Sequence, residues 1–144
     1  MKKPLLISAC LTGENCKYSG GNNYLPAVES LRERWELISV CPECMGGLPT
    51  PRIPAERQGQ WVINREGADV TAEYLHGAQL ALQTARETGC TAALLKERSP
   101  SCGSGQIYDG TFTGTLISGS GVTAELLEKN GIAVFGETGI HELL

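Results

Sequence analysis

One stretch decides the fold of this chain: Ala92-Ala93-Leu94-Leu95-Lys96-Glu97-Arg98-Ser99-Pro100-Ser101-Cys102-Gly103-Ser104-Gly105. It opens with a short apolar run of strand length and continues into residues rich in Ser, Pro and Gly. Such a change predicts a buried strand that feeds a loop with little side-chain cover. Cys102 is therefore expected just past the carboxyl end of a strand.

Two other apolar runs deliver a cysteine in the same way. Residues 5–9 lead into Cys10, and residues 36–40 lead into Cys41. A further apolar run at 132–135 predicts a fourth core strand, which no cysteine follows. Three of the expected strands therefore present a thiol at the carboxyl end.

Helical patterns separate these strands. Residues 27–35 and 69–87 carry apolar side chains at helical spacing, and a last helix is expected from Ser120 or Thr123 to Lys129. Short apolar strands that alternate with helices need crossover connections and are buried on both sides. The sequence thus predicts an α/β fold: a single-domain, open, mostly parallel sheet of about four core strands with helices on both faces, Rossmann-like.

The remaining segments are less regular. Three prolines exclude a helix around residues 45–54, so the chain from 45 to about 69 is expected to cross the domain face as a loop. A small edge strand is expected at 61–64 within it. The Asp-Gly pair at 109–110 lies between residues that favour strands, which indicates a small hairpin or a folded-back loop over 107–115.

Composition limits the functional classes. The chain has 144 residues, 41% of them hydrophobic and 19% charged, and a net charge of −4, which predicts one globular domain over residues 1–144. No cluster of Lys or Arg stands out, so nucleic acid is not an expected partner. No apolar run is long enough for a membrane span, and the chain opens directly into a strand. A cytoplasmic protein without membrane contact is expected.

The cysteines are the main chemical signal. Because ligands bind at the carboxyl edge of open parallel sheets, Cys10, Cys41 and Cys102 are expected at the functional edge of the domain. The chain has six cysteines, and in a reducing compartment such usage favours metal binding or catalysis over disulfides. Zinc, an iron–sulfur cluster and a redox dithiol are the candidates.

Zinc and redox chemistry each account for only part of the pattern. Structural zinc prefers closely spaced ligand pairs, and only Cys41 and Cys44 form one; His76 lies inside a helical pattern and His141 in the tail. Cys41 to Cys44 also matches a redox C-x-x-C motif, in which a helix start lowers a thiol pKa. The residues at 45–49 do not resemble a helix start, which weakens the redox interpretation.

A cubane cluster held by three cysteines fits ligands that arrive one per strand end. It would keep one iron open as a Lewis acid, and Lys96, Arg98 or Arg52 could offset its negative charge. Of the remaining cysteines, Cys90 is expected in the core and Cys44 as a partly buried thiol. Cys16 lies in the polar loop after Cys10, where it is either a chemical participant or an ordinary loop residue.

Other polar residues near the cysteines have two interpretations each. Glu43 is either a general acid or base beside the cluster or an exposed carboxylate at a cap. Ser99 and Ser101 either bind substrate or cluster sulfurs, or supply turn chemistry around the proline between them. Gly103 and Gly105 could let backbone N–H groups approach an inorganic ligand. A phosphate loop is the competing interpretation, but the Lys-Ser or Lys-Thr ending is missing.

The ordered motifs of the whole chain resemble the thiouracil desulfidase (TudS) family, formerly a family of unknown function. The motifs that carry the resemblance are Ser8-Ala9-Cys10-Leu11, Cys16-Lys17-Tyr18-Ser19-Gly20-Gly21, Cys41-Pro42-Glu43, Gly46-Gly47-Leu48-Pro49-Thr50-Pro51-Arg52, Lys96-Glu97-Arg98-Ser99-Pro100-Ser101-Cys102-Gly103, Ile107-Tyr108-Asp109-Gly110 and Gly121-Val122-Thr123-Ala124. They extend over nearly all of the sequence.

The resemblance implies a [4Fe-4S] cluster and an enzyme that converts a thiolated pyrimidine, thiouracil, to uracil and hydrosulfide without net redox change. By the matching motifs, the cluster ligands are Cys10, Cys41 and Cys102. The polar catalytic residues are Glu43 and Ser101, with Cys16 as a further candidate. Where the family usually has an aliphatic residue, this chain has Cys44, which creates an alternative ligand beside Cys41.

The mechanism expected from the resemblance is hydrolytic. The soft thiocarbonyl sulfur binds the open iron, and water positioned by Glu43 or Ser101 attacks the ring carbon. Two rival functions are a carrier of iron and sulfur that transforms no organic substrate and a structural zinc-binding domain.

Overall fold

The computed structural model describes residues 2–144 and has a parallel four-stranded sheet at its centre. In chain order, the strands are β1 (Lys3–Ser8), β2 (Trp35–Val40), β3 (Ala55–Gln58), β4 (Trp61–Asn64), β5 (Ala92–Leu94), β6 (Gln106–Tyr108), β7 (Leu116–Ser118) and β8 (Ala133–Phe135). The helices are α1 (Val28–Leu31), α2 (Pro42–Met45), α3 (Thr71–Thr88) and α4 (Val122–Lys129). The central sheet has the order β2-β1-β5-β8, which confirms the predicted fold class.

The strand order places a topological switch point beside β1. This strand pairs with β2 on one side, from Lys3 opposite Trp35 to Ser8 opposite Val40. On its other side it pairs with β5, where Leu6 lies opposite Ala93. The connections that leave β1 and β5 therefore diverge, and ligands bind at the carboxyl edge of a sheet where this happens.

Alternate residues of β1 supply the two halves of the core. Leu5 and Ile7 face α1 and the C-terminal residues, in a cluster with Leu31. Leu6 faces α3 and α4, in a cluster that includes Leu127. Period-two alternation in a strand with apolar residues on both faces requires cover on both faces. The layer beside α1 has less regular helix than the layer of α3 and α4, because much of its cover comes from the 3₁₀ helix at Ala9–Thr12 and from the C-terminal residue Leu143.

The first predicted helix is shorter than the pattern at 27–35 indicates. α1 covers only Val28–Leu31, and Trp35 begins β2. The Trp35 indole N–H donates a hydrogen bond to the carbonyl oxygen of Leu143 at 2.7 Å. A contact with the far end of the chain thus takes Trp35 out of the helix, and sequence spacing alone carries no information about that contact.

Two hairpins occupy the segments expected to be irregular. The predicted edge strand at 61–64 is present, but it pairs with β3, so the expectation of a plain loop from 45 to 69 is wrong in part. β3 is rich in charged residues and lacks the apolar alternation by which strands are recognised. The second hairpin joins β6 to β7, and the predicted Asp-Gly pair opens its long loop instead of forming a tight turn.

α3 follows its prediction closely and forms the base on which the site is built. The backbone N–H of Thr71 donates to Asp69 Oδ1 at 2.9 Å, and the helix ends at Gly89, which has a φ of 77°. The side chains of Ala78, Ala81 and Ala85 are buried, which allows close approach of the sheet. Among residues 2–144, no helix is both long and apolar enough to cross a membrane.

Two glycines bring α2 into direct backbone contact with α3. A Cβ atom on Gly77 of α3 would overlap the carbonyl oxygen of Pro42, and one on Gly46 would overlap the carbonyl oxygen of Glu73. α2 is a single turn, and it is too short to be stable without tertiary contacts. The positions of the residues in α2 therefore depend on glycine, which has no side chain, at both of these sites.

Replacing Gly77 with alanine should push α2 away from α3. The added methyl group cannot be absorbed by a flexible side chain, since it meets backbone atoms. We expect Gly77→Ala to lower the free energy of unfolding by about 1–3 kcal/mol, measured by urea denaturation of the metal-free protein. Gly139→Ala is the matched control, because its new Cβ would make only ordinary van der Waals contacts. Equal stability of the two variants would contradict the backbone contact.

Candidate active site

A cavity of about 560 Å³ opens at the carboxyl edge of the sheet, beside the switch point. Its walls come from the segments that follow β1, β2 and β5, and from the two hairpins. The cysteines Cys10, Cys41 and Cys102 all line it, together with Glu43 and Lys96. The volume is in the range of small-molecule pockets.

Each of the three cysteines reaches the cavity from a different strand end. Cys10 lies in the 3₁₀ helix that directly follows β1, and it is 8% exposed. Cys41 is the N-cap residue of α2, directly after β2, and it is half-buried. Cys102 lies in the loop after β5 and is 6% exposed. The structure thus brings together the three thiols that the sequence places after strands.

Cys16 also lines the cavity, and its thiol lies between those of Cys10 and Cys41. A hydrogen bond from Cys16 lowers the pKa of Cys10 to about 7, although burial acts in the opposite direction. The same donor lowers the pKa of Cys41 to about 6. The pKa of Cys16 itself is raised, because its proton is held by these two neighbours. Cys16 therefore belongs to the group of cavity thiols and is not an isolated loop cysteine.

Cys102 differs from the other cavity thiols. Burial raises the pKa of Cys102 to about 12, against the effect of hydrogen bonds from Ser8 and Ser101. The Ser8 hydroxyl oxygen also accepts a hydrogen bond from the Lys96 backbone N–H at 2.9 Å, which joins the end of β1 to the loop after β5. Sequence reasoning listed Ser8 in a motif but gave it no role, and its place at the end of a strand that a cysteine follows was the available signal.

Ser101 does not line the cavity. Its side chain is fully buried, and its Oγ lies 2.8 Å from Thr123 Oγ1 on α4. The expectation that Ser101 positions the attacking water has no support in this geometry, because the hydroxyl is directed into the protein. Ser99 does line the cavity, and its Oγ accepts hydrogen bonds from the backbone N–H groups of Ser101 and Cys102 at 3.1 and 3.0 Å. Ser99 thus performs the turn chemistry that was its alternative role.

Gly103 has a structural role in the same loop. Its N–H donates to the Ser99 carbonyl oxygen at 2.8 Å, and a Cβ atom would lie 2.8 Å from that oxygen. A second contact, between Gly121 and the backbone of Ser101, leaves no space for a side chain at the start of α4. These close approaches fix the backbone on both sides of Cys102.

Glu43 is held by a buried arginine. The Nη2 and Nε atoms of Arg52 lie 2.6 and 2.7 Å from Glu43 Oε2, and the two side chains are only 6% and 14% exposed. Burial alone would lower the pKa of Arg52, but the charge and hydrogen bonds of Glu43 raise it. The sequence suggested Arg52 only as a charge that offsets a cluster, and the structure shows that its main partner is Glu43.

Two further cations line the cavity. Lys96 forms an ion pair with Glu137 at 2.9 Å, which ties the loop after β5 to the C-terminal 3₁₀ helix. Arg98 is exposed and has a φ of 66°, in the left-handed region that non-glycine residues rarely adopt. The charge-offsetting residues expected from the sequence are therefore at the cavity.

The remaining cysteines are outside the cavity lining. Cys44 lies 3.3 Å from Thr50 Oγ1, and its Sγ is 3.9 Å from the carbonyl oxygen of Cys16. Cys90 is buried in the core, as predicted. No disulfide is formed in the described part of the chain. Within residues 2–144, no group of His, Cys, Asp and Glu side chains is arranged to hold a single metal ion.

The C-x-x-C segment has a helical turn that the sequence analysis did not expect. α2 begins at Pro42, directly after Cys41, so Cys41 does occupy a helix N-terminus. Proline is favoured at this first helical position because its missing N–H is not needed there. The argument against the redox interpretation was therefore wrong on this point, although α2 is a single turn.

The outer wall of the cavity comes from the β6–β7 hairpin and is aromatic. Tyr108 and Phe112 line it, and the guanidinium of Arg65 lies 5.5 Å from the centre of the Phe112 ring. Glu56 Oε1 accepts hydrogen bonds from the N–H groups of Gly110 and Phe112, both at 3.0 Å, and so fixes this wall to β3. Sequence reasoning assigned none of these residues to the cavity wall.

The fold and the cavity define a class: an α/β protein with several thiols at one cavity at the switch point of a parallel sheet. A comparison with family models identifies the family, because residues 5–139 match the model described as 2-thiouracil desulfurase. The chain belongs to the 2-thiouracil desulfurase family.

Two relatives extend this result. The chain is 46% identical to a solved structure described as the [4Fe-4S]-dependent thiouracil desulfidase TudS, with a TM-score of 0.92, and the match covers 99% of this chain and 95% of that chain. It is also 42% identical, over an alignment 150 positions long, to the uncharacterised protein YbbK of Bacillus subtilis strain 168. That match covers 97% of this chain and 99% of YbbK.

The pKa differences among the thiols predict an order of alkylation in the metal-free protein. At pH 7, Cys41 should be mostly thiolate because its pKa is lowered to about 6, whereas Cys102 should be protonated because its pKa is raised to about 12. We expect iodoacetamide to label Cys41 well before Cys102, as followed by peptide mass spectrometry. Labelling of Cys41 should slow only as the pH falls through about 6. A decline already near pH 8–9, as for an ordinary cysteine, would contradict the lowered pKa.

Proposed function

We propose that this protein is a [4Fe-4S]-dependent desulfidase that converts a thiolated pyrimidine to the corresponding carbonyl compound and hydrosulfide. The observation that carries the proposal is the convergence of Cys10, Cys41 and Cys102 from three strand ends on one cavity. The membership of the 2-thiouracil desulfurase family and the similarity to TudS support the same reaction.

The donor set of the cavity fits an iron–sulfur cluster. Cysteine thiolates are the usual ligands of such clusters, and the lowered pKa values of Cys10 and Cys41 favour the form that binds iron. Cys102 is protonated in the metal-free state, and a bound metal would deprotonate it. We propose Cys10, Cys41 and Cys102 as the ligands. When bound, the cluster supplies an iron with an open position, a Lewis acid for a soft sulfur.

The protein residues supply the acid–base chemistry. Glu43 lines the cavity, so its carboxylate is available to a substrate bound there. In our proposal, Glu43 accepts a proton from the water that attacks this carbon, and it returns the proton as the carbon–sulfur bond breaks. The proton that Glu43 returns goes to the leaving sulfur, which departs as hydrosulfide, and the second proton of the water passes to solvent as the C=O bond forms. One C=S bond thus becomes one C=O bond, one water is consumed, and no electrons are exchanged with the protein.

Other residues bind and orient. Tyr108 and Phe112 offer an aromatic wall of the kind on which a planar pyrimidine ring packs. Cys16 lies between two proposed ligands and is proposed to hold a proton at its sulfur next to them. Ser101 is fully buried behind Cys102, so we propose that it acts on the reaction through the Cys102 thiol.

The direct test uses protein that is purified and reconstituted with iron and sulfide without oxygen. We expect about four iron and four sulfide ions per chain and the release of uracil from thiouracil, measured by chromatography. A loaded cluster without uracil release would favour the carrier function. Zinc in place of iron in the isolated protein would favour the structural zinc domain.

The proposed ligands can be tested by iron content alone. We expect Cys10→Ser, Cys41→Ser and Cys102→Ser each to lose most of the bound iron, because each removes one of only three proposed thiolate ligands of the cubane. Cys90→Ala is the control, since Cys90 is a core residue outside the cavity lining. Cys44→Ala should also retain iron. Loss of iron in Cys44→Ala with retention in Cys41→Ser would instead make Cys44 the middle ligand.

Replacing Glu43 with glutamine should stop proton transfer but leave the cluster in place. Removal of a general acid or base costs about 10²–10⁴-fold in rate, so we expect kcat of Glu43→Gln to fall in this range. Visible absorbance and iron content should be unchanged. Glu87→Gln, at an exposed position of α3, serves as the control. A wild-type kcat in Glu43→Gln would show that Glu43 does not transfer a proton in the reaction.

A further inference from the structure

Arg52 connects three segments beneath the cavity. Its guanidinium binds the Glu43 carboxylate, and its Nη2 donates to the carbonyl oxygen of Cys16 at 2.9 Å. Its Nη1 donates to the carbonyl oxygen of Pro49 at 3.2 Å and to Thr50 Oγ1 at 3.1 Å. With a side chain that is only 6% exposed, Arg52 is fixed from every side.

The contact with Glu43 is one-sided. Both nitrogens that reach the carboxylate, Nε and Nη2, bind the same oxygen, Oε2. The ion pair therefore leaves the second oxygen, Oε1, for other groups at the cavity, which Tyr74, a side chain that reaches Glu43, also lines. A planar guanidinium with several fixed donors sets the direction of its partner as well as its charge.

The same arginine also fixes the loop that carries a cavity thiol. The carbonyl oxygen of Cys16, which Arg52 binds, lies 3.8 Å from Cys41 Sγ. The backbone N–H of Arg52 donates to the carbonyl oxygen of Tyr18 at 2.7 Å, so a second bond ties the same loop to Arg52. Arg52 thus holds both the Glu43 carboxylate and the loop that carries Cys16.

We infer that Arg52 is a positioning residue of the reaction. It directs Oε1 of Glu43 towards the substrate, and its hydrogen bonds keep the Cys16 loop in place beside Glu43. This inference rests on the proposed function, since it assigns the orientation of the proposed proton carrier. Arg52 has no direct contact with the reacting atoms in this role. Its effect on turnover passes through Glu43.

An ammonium group could not replace this geometry. Lysine carries a single point charge on a flexible stem, so it can neutralise Glu43 but cannot bind Oε2 and the Cys16 carbonyl oxygen from one plane. Arg52→Lys should therefore preserve much of the stability and the iron content, but the Glu43 carboxylate should no longer be held in its orientation. Arg52→Gln should lose both the positive charge beside Glu43 and the orientation of its carboxylate.

The experiment compares kinetics per loaded cluster in the reconstituted holoenzyme, with thiouracil as substrate. We expect Arg52→Lys and Arg52→Gln to lower kcat by about 10–100-fold, since a misplacement on the order of 1 Å can cost about 100-fold. KM should change by less than about 3-fold, because the loss concerns the transition state and not ground-state binding. Arg57→Gln is the matched control, because Arg57 also pairs with a glutamate, Glu125, but lies outside the cavity lining.

A double-mutant cycle separates positioning from a general structural role. If Arg52 acts through Glu43, kcat of the double variant Arg52→Gln/Glu43→Gln should be no lower than that of Glu43→Gln alone. Millimolar guanidinium should partly restore kcat of Arg52→Ala and have no such effect on Glu43→Gln. The thermal unfolding midpoint and iron content are measured for every variant.

Three outcomes would overturn the inference while the proposed function stands. The first is a kcat of Arg52→Gln, normalised to cluster content, that equals the wild-type value. The second is a loss of activity that is fully explained by a loss of iron. The third is full additivity of the effects of Arg52→Gln and Glu43→Gln on kcat. Absence of uracil release by the natural protein would overturn the proposed function first, and the inference with it. If Arg52→Gln does not fold, Arg52→Lys and its combination with Glu43→Gln give the same test.

Discussion

The parallel pairing of β1 with β2 on one side and β5 on the other is the constraint on which the rest of the structure depends. Parallel strands end at the same edge, so whatever follows each strand in sequence is gathered there. The switch of direction beside β1 then opens a space between the diverging connections. Cys10, Cys41 and Cys102 share one cavity because of this arrangement, although long stretches of chain separate them.

Backbone contacts at glycines convert this general arrangement into a precise one. Gly77 lets α3 touch α2 directly, and Gly121 lets α4 touch the loop that carries Cys102. In both places a helix meets the backbone of a cysteine-bearing segment without an intervening side chain. Interiors are closely packed, so such contacts leave little freedom in the positions of Cys41 and Cys102. The helices α3 and α4 thus support the segments that carry these two cysteines.

Polar contacts complete the site from behind the cavity surface. Arg52 binds Glu43, Ser8 joins the end of β1 to the loop after β5, and Glu56 fixes the aromatic wall to β3. Each of these polar groups is largely buried. Each contact therefore stabilises the protein only when its donors and acceptors are all paired in good geometry. The proposed chemistry requires the cavity residues to be held in this way before a substrate arrives.

The sequence by itself determined the sheet, the long helix and the delivery of three thiols, because apolar periodicity and the position of a residue after a strand are local properties. It also assigned Cys90 to the core. Only the tertiary structure decided that Trp35 leaves its helix for β2, that the charged residues of β3 form a strand, and that Ser101 is directed into the protein. Arg52 is the clearest case, since its side chain joins Glu43, nine positions before it, to Cys16, 36 positions before it. Such roles depend on which segments meet in space, and no local pattern of residues records that.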